Sequence, residues 1–154
     1  IQIIIAKVIP YIFLAFIISM IVLLLGYFVF GVPIKGSLLL LLFELLLFVL
    51  TTLSLGILIS TIAKTQLVAL MISVLGLLLP TIILSGFIFP IENMPRILQW
   101  ISNIIPAKWF IIIVKNIMLK GSGIEMVWKE TIIILGFAIF FIMMSLKKFN
   151  IRIG

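Results

Sequence analysis

The chain has 154 residues, of which 66% are hydrophobic and only 10% are charged. Soluble globular domains carry about 25% charged residues, so this composition excludes a soluble fold and predicts an all-α integral membrane protein. Eleven Lys and Arg stand against four acidic residues, singly at the ends of apolar runs rather than on one basic face, which indicates membrane anchoring and not nucleic-acid binding. The sequence has no Cys and no His, which excludes disulfides, thiol nucleophiles and His-based metal sites.

Four long apolar runs set the predicted topology. A helix needs about 20 apolar residues to cross a hydrocarbon core roughly 30 Å thick. The runs predict transmembrane helices at about 8–30, 37–63, 66–89 and 127–147. Pro10 falls in the first turns of the first helix, where a proline is least costly, whereas Pro80 lies inside the third and is expected to kink or locally open it. One face of that third helix is small and weakly polar and carries Gln66, Ala69, Ser73, Gly76 and Pro80.

Glu44 is the only charged residue within the second predicted helix. Ser37, Glu44 and Thr51 are seven residues apart and therefore lie nearly on one helical face. An ionised residue at a helix centre costs about 3 kcal/mol, which the flanking Leu and Phe residues, at roughly 0.5 kcal/mol each, outweigh. We therefore expect Glu44 inside the membrane, facing protein and either protonated or paired. Two interpretations stay open: a polar point on a substrate or proton path, and an interhelical hydrogen bond or a position nearer the headgroups.

Between residues 84 and 121, prolines and charges interrupt the apolar pattern. The amphipathic pieces there are too short to span a bilayer and predict a re-entrant or interfacial helical hairpin at about 93–120, divided at Pro106. Glu92 precedes a helix that begins near Pro95, where a carboxylate suits the helix dipole; this role is favoured over catalysis because no partner acid or base lies nearby. Gly121 is expected to end the second piece. The first piece has one apolar face, formed by Ile97, Leu98, Ile101, Ile104 and Ile105.

If the hairpin dips without crossing, both chain ends lie on the same side of the membrane. The Lys and Arg residues on that side are then more closely spaced than those on the other side. Because cytoplasmic segments near a membrane are rich in Lys and Arg, this favours a cytoplasmic location for both ends. The chain opens without a Met or a charged leading segment, so we expect further sequence upstream. The cations assigned to the cytoplasmic side are Lys7, Lys64, Lys147, Lys148 and Arg152.

Several stretches are typical of one membrane protein family. The most specific block runs from Ser85 to Pro95 and reads SGFIFP-x-x-x-MP. Together with residues 7–11, 28–33, 55–60 and 119–121, it resembles the C-terminal part of an ABC-2 type permease, the membrane subunit of a bacterial ATP-driven exporter, in the multidrug-exporter-like branch. The resemblance covers essentially the whole chain. It departs at Ile105-Pro106, where many members read Asn-Pro, and at Lys115, where many have Arg.

The resemblance implies that these helices are the third to sixth of six and that two helices and a cytoplasmic coupling helix precede them. The hairpin would be the family's extracytoplasmic re-entrant element. The implied location is the bacterial cytoplasmic membrane, with membrane lipids, a second permease half and cytoplasmic ABC ATPase subunits as partners. ATP and Mg²⁺ would bind the ATPases, because this chain has no GxxxxGK[ST] loop and is expected to be no enzyme and to bind no cofactor or metal. The hairpin residues carried over are Ser85, Gly86, Pro90, Glu92, Met94, Pro95, Pro106 and Gly121.

From the residues alone, a channel or carrier, a purely structural membrane subunit and the membrane part of an intramembrane enzyme stay open. The enzyme would need paired acids or a nucleophile with a base, and Glu44 stands alone in its run. The resemblance favours a permease subunit that forms part of the translocation pathway for a hydrophobic or amphipathic substrate. Face geometry gives the candidate pathway residues Glu44, Ser73, Pro80 and Thr81.

Overall fold

Helices make up nearly all of the computed structural model, which describes residues 2–86 and 88–153. Four stretches are long and apolar enough to cross a membrane: Ile5–Phe28, Leu38–Ile62, Gln66–Leu84 and Ile124–Phe149. No strand occurs among the described residues, so the prediction of an all-α integral membrane protein with four transmembrane helices is confirmed. The elements are α1 (Gln2–Phe28), α2 (Leu38–Ile62), α3 (Gln66–Met71), a π-helical segment (Ile72–Leu78), α4 (Leu79–Leu84), a 3₁₀ turn (Ile91–Asn93), α5 (Arg96–Ser102), α6 (Pro106–Lys120) and α7 (Ile124–Ile153).

Helix ends differ from the predicted ones, because the predicted ends were placed at charged residues. Lys is a good helix former, so α1 begins at Gln2 rather than near residue 8, and Pro10 lies inside the helix instead of in its first turns. For the same reason α7 extends from Ile124 to Ile153 rather than from 127 to 147. The third span ends at Leu84 rather than 89, since Gly86 adopts a φ of 84°, which a right-handed helix cannot contain. Phe87, within the SGFIFP block, lies outside the described residues.

The third span, Gln66–Leu84, opens locally near Pro80, as predicted. The opening is a π-helical segment just before the proline, in which the Leu79 N–H donates to the Val74 carbonyl oxygen five residues earlier. A proline has no N–H and crowds the turn before it, and a wider turn accommodates both effects. Segments of this kind are frequent at functional sites, which directs attention to the face of this helix that meets its neighbours.

The second limb of the hairpin, α6, packs between α2 and α7. Phe110 of α6 stacks on Phe48 of α2 with ring centroids 4.2 Å apart. In a bilayer, helices associate through such close van der Waals packing rather than through the hydrophobic effect. This limb is therefore held by two transmembrane helices along its length. The buried residues at the junction are Leu41, Ile113, Ile117, Met118, Val127 and Ile134.

The α1–α2 connection closes over the end of α6. The Lys35 N–H donates to the Met118 carbonyl oxygen at 3.0 Å and so satisfies one of the carbonyls that a helix leaves free at its C-terminus. Gly36 passes so close that a Cβ there would lie 2.5 Å from the Ile117 carbonyl oxygen. Gly121, with a φ of 68°, then ends α6 in the left-handed conformation, as predicted. Main-chain contacts thus fix the C-terminal end of α6.

α2 and α7 run parallel, which identifies the hairpin as re-entrant. Thr131 of α7 contacts Glu44 of α2, and Ile134 of α7 contacts Thr51 of α2. A later residue of α7 thus meets a later residue of α2, as in two parallel helices. If α5 and α6 formed one broken crossing, α7 would run antiparallel to α2. The chain bends by 84° between α5 and α6. Because α2 and α7 are parallel, the hairpin returns to the side from which it entered. The start of α1 and the end of α7, where Ile5 and Ser145 line the same cavity, therefore lie at the same end of the helix bundle.

Candidate functional site

A cavity of about 660 Å³ lies where the hairpin turns, between α2 and the third span. α6 has 15 residues and is about 22 Å long, so its first residue, Pro106, lies about that far from the C-terminal end that contacts Lys35. The turn of the hairpin thus reaches towards the middle of the bundle and forms one wall of the cavity. The lining is apolar apart from three hydroxyls. It consists of Phe48, Thr52, Leu55, Ser73, Gly76, Leu77, Leu78, Pro80, Thr81, Ile101, Ile104, Ile105, Pro106, Ala107 and Phe141.

Three of the four predicted pathway residues line this cavity. Ser73 lies within the π-helical segment, and Pro80 and Thr81 follow in α4, all on the face turned towards α2 and the hairpin. The Ser73 hydroxyl donates to the Ala69 carbonyl oxygen of its own helix at 2.8 Å. That Ser73 and Pro80 line the same cavity agrees with the sequence analysis, which placed them on one helical face. Their part in transport stays a prediction.

Glu44 lies elsewhere, between α2 and α7. Its side chain has no exposed surface, and the Thr131 hydroxyl donates to its Oε1 at 2.6 Å. Its second carboxyl oxygen, Oε2, has no hydrogen-bond partner within the described part of the chain. Further along α2, the Thr51 hydroxyl lies 3.5 Å from the Ile134 carbonyl oxygen of α7. The structure thus contains the interhelical hydrogen bond that was one of the two interpretations of Glu44.

The motif between Ser85 and Pro95 builds the entry into the hairpin. Gly86 turns the chain with its positive φ, and Pro90 precedes the 3₁₀ turn that contains the exposed Glu92. Pro95 occupies the N-cap of α5 without a side-chain hydrogen bond, so Glu92 belongs to a separate turn rather than to the first turn of α5. The Gln99 side-chain amide instead donates to the Met94 carbonyl oxygen at 2.9 Å and holds this turn against α5.

Asn103 holds the turn of the hairpin together. Its main-chain carbonyl accepts a hydrogen bond from the Trp109 indole N–H at 3.0 Å, and its side-chain oxygen accepts one from the Lys108 ammonium group. The same ammonium lies 4.6 Å from the centroid of the Trp109 ring, within the range of a cation–π interaction. Pro106 begins α6, where the main-chain N–H of any residue would have no acceptor within the helix, so the missing N–H of proline costs nothing. Sequence reasoning did not identify this group, whose only signal was two polar residues on either side of a proline.

The three cavity-lining residues from α2, Phe48, Thr52 and Leu55, were also not predicted. Nothing in the sequence says which face of α2 meets the third span. Among the residues that the structure describes, no cluster of three or more acidic, His or Cys side chains could hold a metal ion. The site is therefore an apolar recess with a few hydroxyls, of a size that suits a drug-sized molecule.

Comparisons with known proteins agree with the membrane fold. A family model described as ABC-2 type transporter matches residues 1–119. The chain is 36% identical over 152 residues to the Escherichia coli K12 protein named "Probable multidrug ABC transporter permease YbhS", covering 99% of this chain and 40% of that protein. It is 38% identical over 129 residues to the protein named "Probable multidrug ABC transporter permease YbhR" of the same organism, covering 84% of this chain and 35% of that protein.

A more distant relative is "ABC transporter G family member 20" of Dictyostelium discoideum, 32% identical over 132 residues, which cover 84% of this chain and 18% of that protein. The chain thus spans about 40% of the length of YbhS, and less of the other two. No solved structure matches the chain significantly.

Proposed function

This chain belongs to the ABC-2 type transporter family, and from that premise we propose that it is part of the permease subunit of an ATP-driven exporter. The observation that carries the proposal is the family match over residues 1–119, together with relatives named as multidrug ABC transporter permeases. The cavity at the turn of the hairpin would then form part of the path for a hydrophobic or amphipathic substrate. Ser73, Pro80 and Thr81 would line that path, and Glu44 would join two helices beside it.

The partners we propose are two cytoplasmic ABC ATPase subunits, a second permease half and the surrounding lipids. The chain carries no GxxxxGK[ST] loop, so ATP and Mg²⁺ would bind the ATPases and not these residues. A membrane subunit without its own nucleotide site depends on such a partner for energy. The chain itself would bind no cofactor.

We further propose that the protein lies in the bacterial cytoplasmic membrane with both ends of this chain in the cytoplasm. The density of Lys and Arg near the chain ends supports this orientation. These 154 residues contain no Cys, so once any Cys elsewhere in the full-length protein is replaced, a single Cys introduced here can be labelled selectively. In intact cells, a membrane-impermeant maleimide should label Ser122→Cys, beyond α6, and not Gln66→Cys, at the start of α3. Labelling of Gln66→Cys alone would reverse the proposed orientation.

Affinity purification of the full-length protein from detergent-solubilised membranes tests the function. We expect mass spectrometry to find an ATPase with a P-loop in the purified complex, and its ATP hydrolysis to depend on the permease. A protein that purifies without an ATPase in every detergent would contradict the proposal and favour a channel or a structural subunit.

A further inference from the structure

We propose that the cavity between α2, the third span and the turn of the hairpin binds apolar molecules that carry a hydrogen-bond donor, either a hydroxyl or an amine, in preference to carboxylates. The inference rests on the proposed function, since it names the class of substrate that this part of the path would accept. It follows from how the polar groups of the lining are already engaged.

Two of the three hydroxyls that line the cavity donate their protons within their own helices. Thr52 donates to the Val49 carbonyl oxygen at 2.9 Å, and Ser73 donates to the Ala69 carbonyl oxygen at 2.8 Å. A hydroxyl has one proton but two acceptor lone pairs, so both oxygens can still accept hydrogen bonds. Thr81, the third, can donate or accept. The lining therefore offers more acceptors than donors.

Pro80 adds to this excess of acceptors. A proline has no main-chain N–H, so the third span has one hydrogen-bond donor fewer. The hydrogen bonds of this helix are already shifted to a five-residue spacing in the π-helical segment. In the register of that segment, in which Leu79 pairs with Val74, the main-chain N–H that Pro80 lacks would pair with the carbonyl of residue 75, next to Gly76, which lines the cavity. The third span therefore has fewer main-chain donors than acceptors next to the cavity.

No ionisable side chain lies among the described residues of the lining. The nearest along the chain is Lys108, which follows Ala107, but its ammonium donates to Asn103 and lies over the Trp109 ring. A carboxylate in the cavity would lose its hydration without a cation or sufficient donors in exchange, which is costly. A hydroxyl would find acceptors, and so would an amine, which is protonated at neutral pH and carries only donors to exchange for its hydration. The rest of an apolar molecule would find Phe48, Leu55 and Ile104.

The size of the cavity fits this class of ligand. Its volume of about 660 Å³ lies within the range of about 300–1,000 Å³ that is usual for small-molecule sites. A polycyclic aromatic molecule with one polar substituent is therefore a suitable probe. Three pyrene derivatives of nearly equal size differ only in that substituent: 1-pyrenemethanol, 1-pyrenemethylamine and 1-pyrenecarboxylate.

The test is a fluorescence titration of the full-length protein in nanodiscs of zwitterionic lipid, with empty nanodiscs as the reference for partitioning. We expect the alcohol and the amine to bind about three- to tenfold more tightly than the carboxylate. Ser73→Ala should weaken binding of the alcohol about threefold and leave 1-methylpyrene unaffected. The matched control is Ser19→Ala in α1, because Ser19 makes the same bond to Ala15 at 2.8 Å but lies outside the cavity; it should change nothing.

Three results would overturn the inference. The first is binding no greater than to empty nanodiscs, as expected if another segment fills the cavity. The others are a carboxylate that binds as tightly as the alcohol, and equal effects of Ser73→Ala and Ser19→Ala on alcohol binding. Tight carboxylate binding that is lost in Lys108→Gln would assign the site to Lys108 instead. ATPase association, measured on the same preparations, separates the two proposals. Carboxylate preference in a protein that carries its ATPase overturns only the ligand class, whereas donor-selective binding without any ATPase overturns only the exporter.

Discussion

The hydrogen bond between Thr131 and Glu44 makes the packing of α7 against α2 testable. Thr131→Val removes the hydroxyl with little change of shape and leaves Oε1 of a fully buried carboxyl group without its donor. Interhelical hydrogen bonds in membranes contribute about 0.6 kcal/mol on average and about 1.7 kcal/mol at most, while a buried polar group that loses its partner costs about 1–3 kcal/mol. Because the other carboxyl oxygen already lacks a partner in the described residues, we expect the upper part of this range, about 1–2 kcal/mol.

The assay is unfolding of the full-length protein in mixed micelles with increasing SDS. Thr52→Val is the matched control, because the hydroxyls of Thr52 and Thr131 each lie 2.9 Å from a carbonyl oxygen of their own helix, and only Thr131 reaches across to another helix. The Glu44→Leu variant lacks the carboxyl group. In that background Thr131→Val should lower the free energy of unfolding by at least about 1 kcal/mol less than it does in the native background. Equal losses for Thr131→Val and Thr52→Val, or an additive double variant, would refute the proposed link.

Three further predictions concern how the hairpin is held, each measured as the free energy of unfolding of the full-length protein. Gly36→Ala should destabilise by about 1–3 kcal/mol, because its Cβ would lie 2.5 Å from the Ile117 carbonyl oxygen; Gly26→Ala, with no atom within 4 Å of its Cβ, should cost nothing. Ile117→Ala should cost about 2–5 kcal/mol because Ile117 has no exposed surface, whereas Ile97→Ala, at a position 73% exposed, should cost below about 0.5 kcal/mol. Gly121→Ala should cost about 1–2 kcal/mol, since a Cβ is strained at a φ of 68°. Equal effects in a matched pair, or a neutral Gly121→Ala, would contradict the packing described for α6.

The sequence predicted the features that the bilayer itself dictates. Hydrocarbon thickness requires long apolar runs, so the number and approximate position of the spanning helices could be read directly. The helix ends could not, since Lys7 and Lys147 are good helix formers and let α1 and α7 continue past the apolar runs.

The candidate site was predictable only in part, because periodicity tells which residues share a helical face and not which faces meet. It grouped Ser73 with Pro80 correctly, and it also grouped Glu44 with Thr51, which both face α7. It could not place Glu44 away from the cavity, nor bring Thr52 to the same recess as Ser73, since both depend on how α2 is rotated against its neighbours.

ATP-driven transport by the reconstituted complex is the most direct test of the central proposal. The full-length permease would be purified with its ATPase and placed in proteoliposomes, and the accumulation of ethidium, a polycyclic aromatic cation with two amino groups, would be followed by fluorescence. We expect accumulation against a gradient that requires ATP and is lost when the P-loop Lys of the ATPase is replaced by Ala. Ethidium movement that follows its gradient equally without ATP would contradict the exporter and identify the protein as a channel.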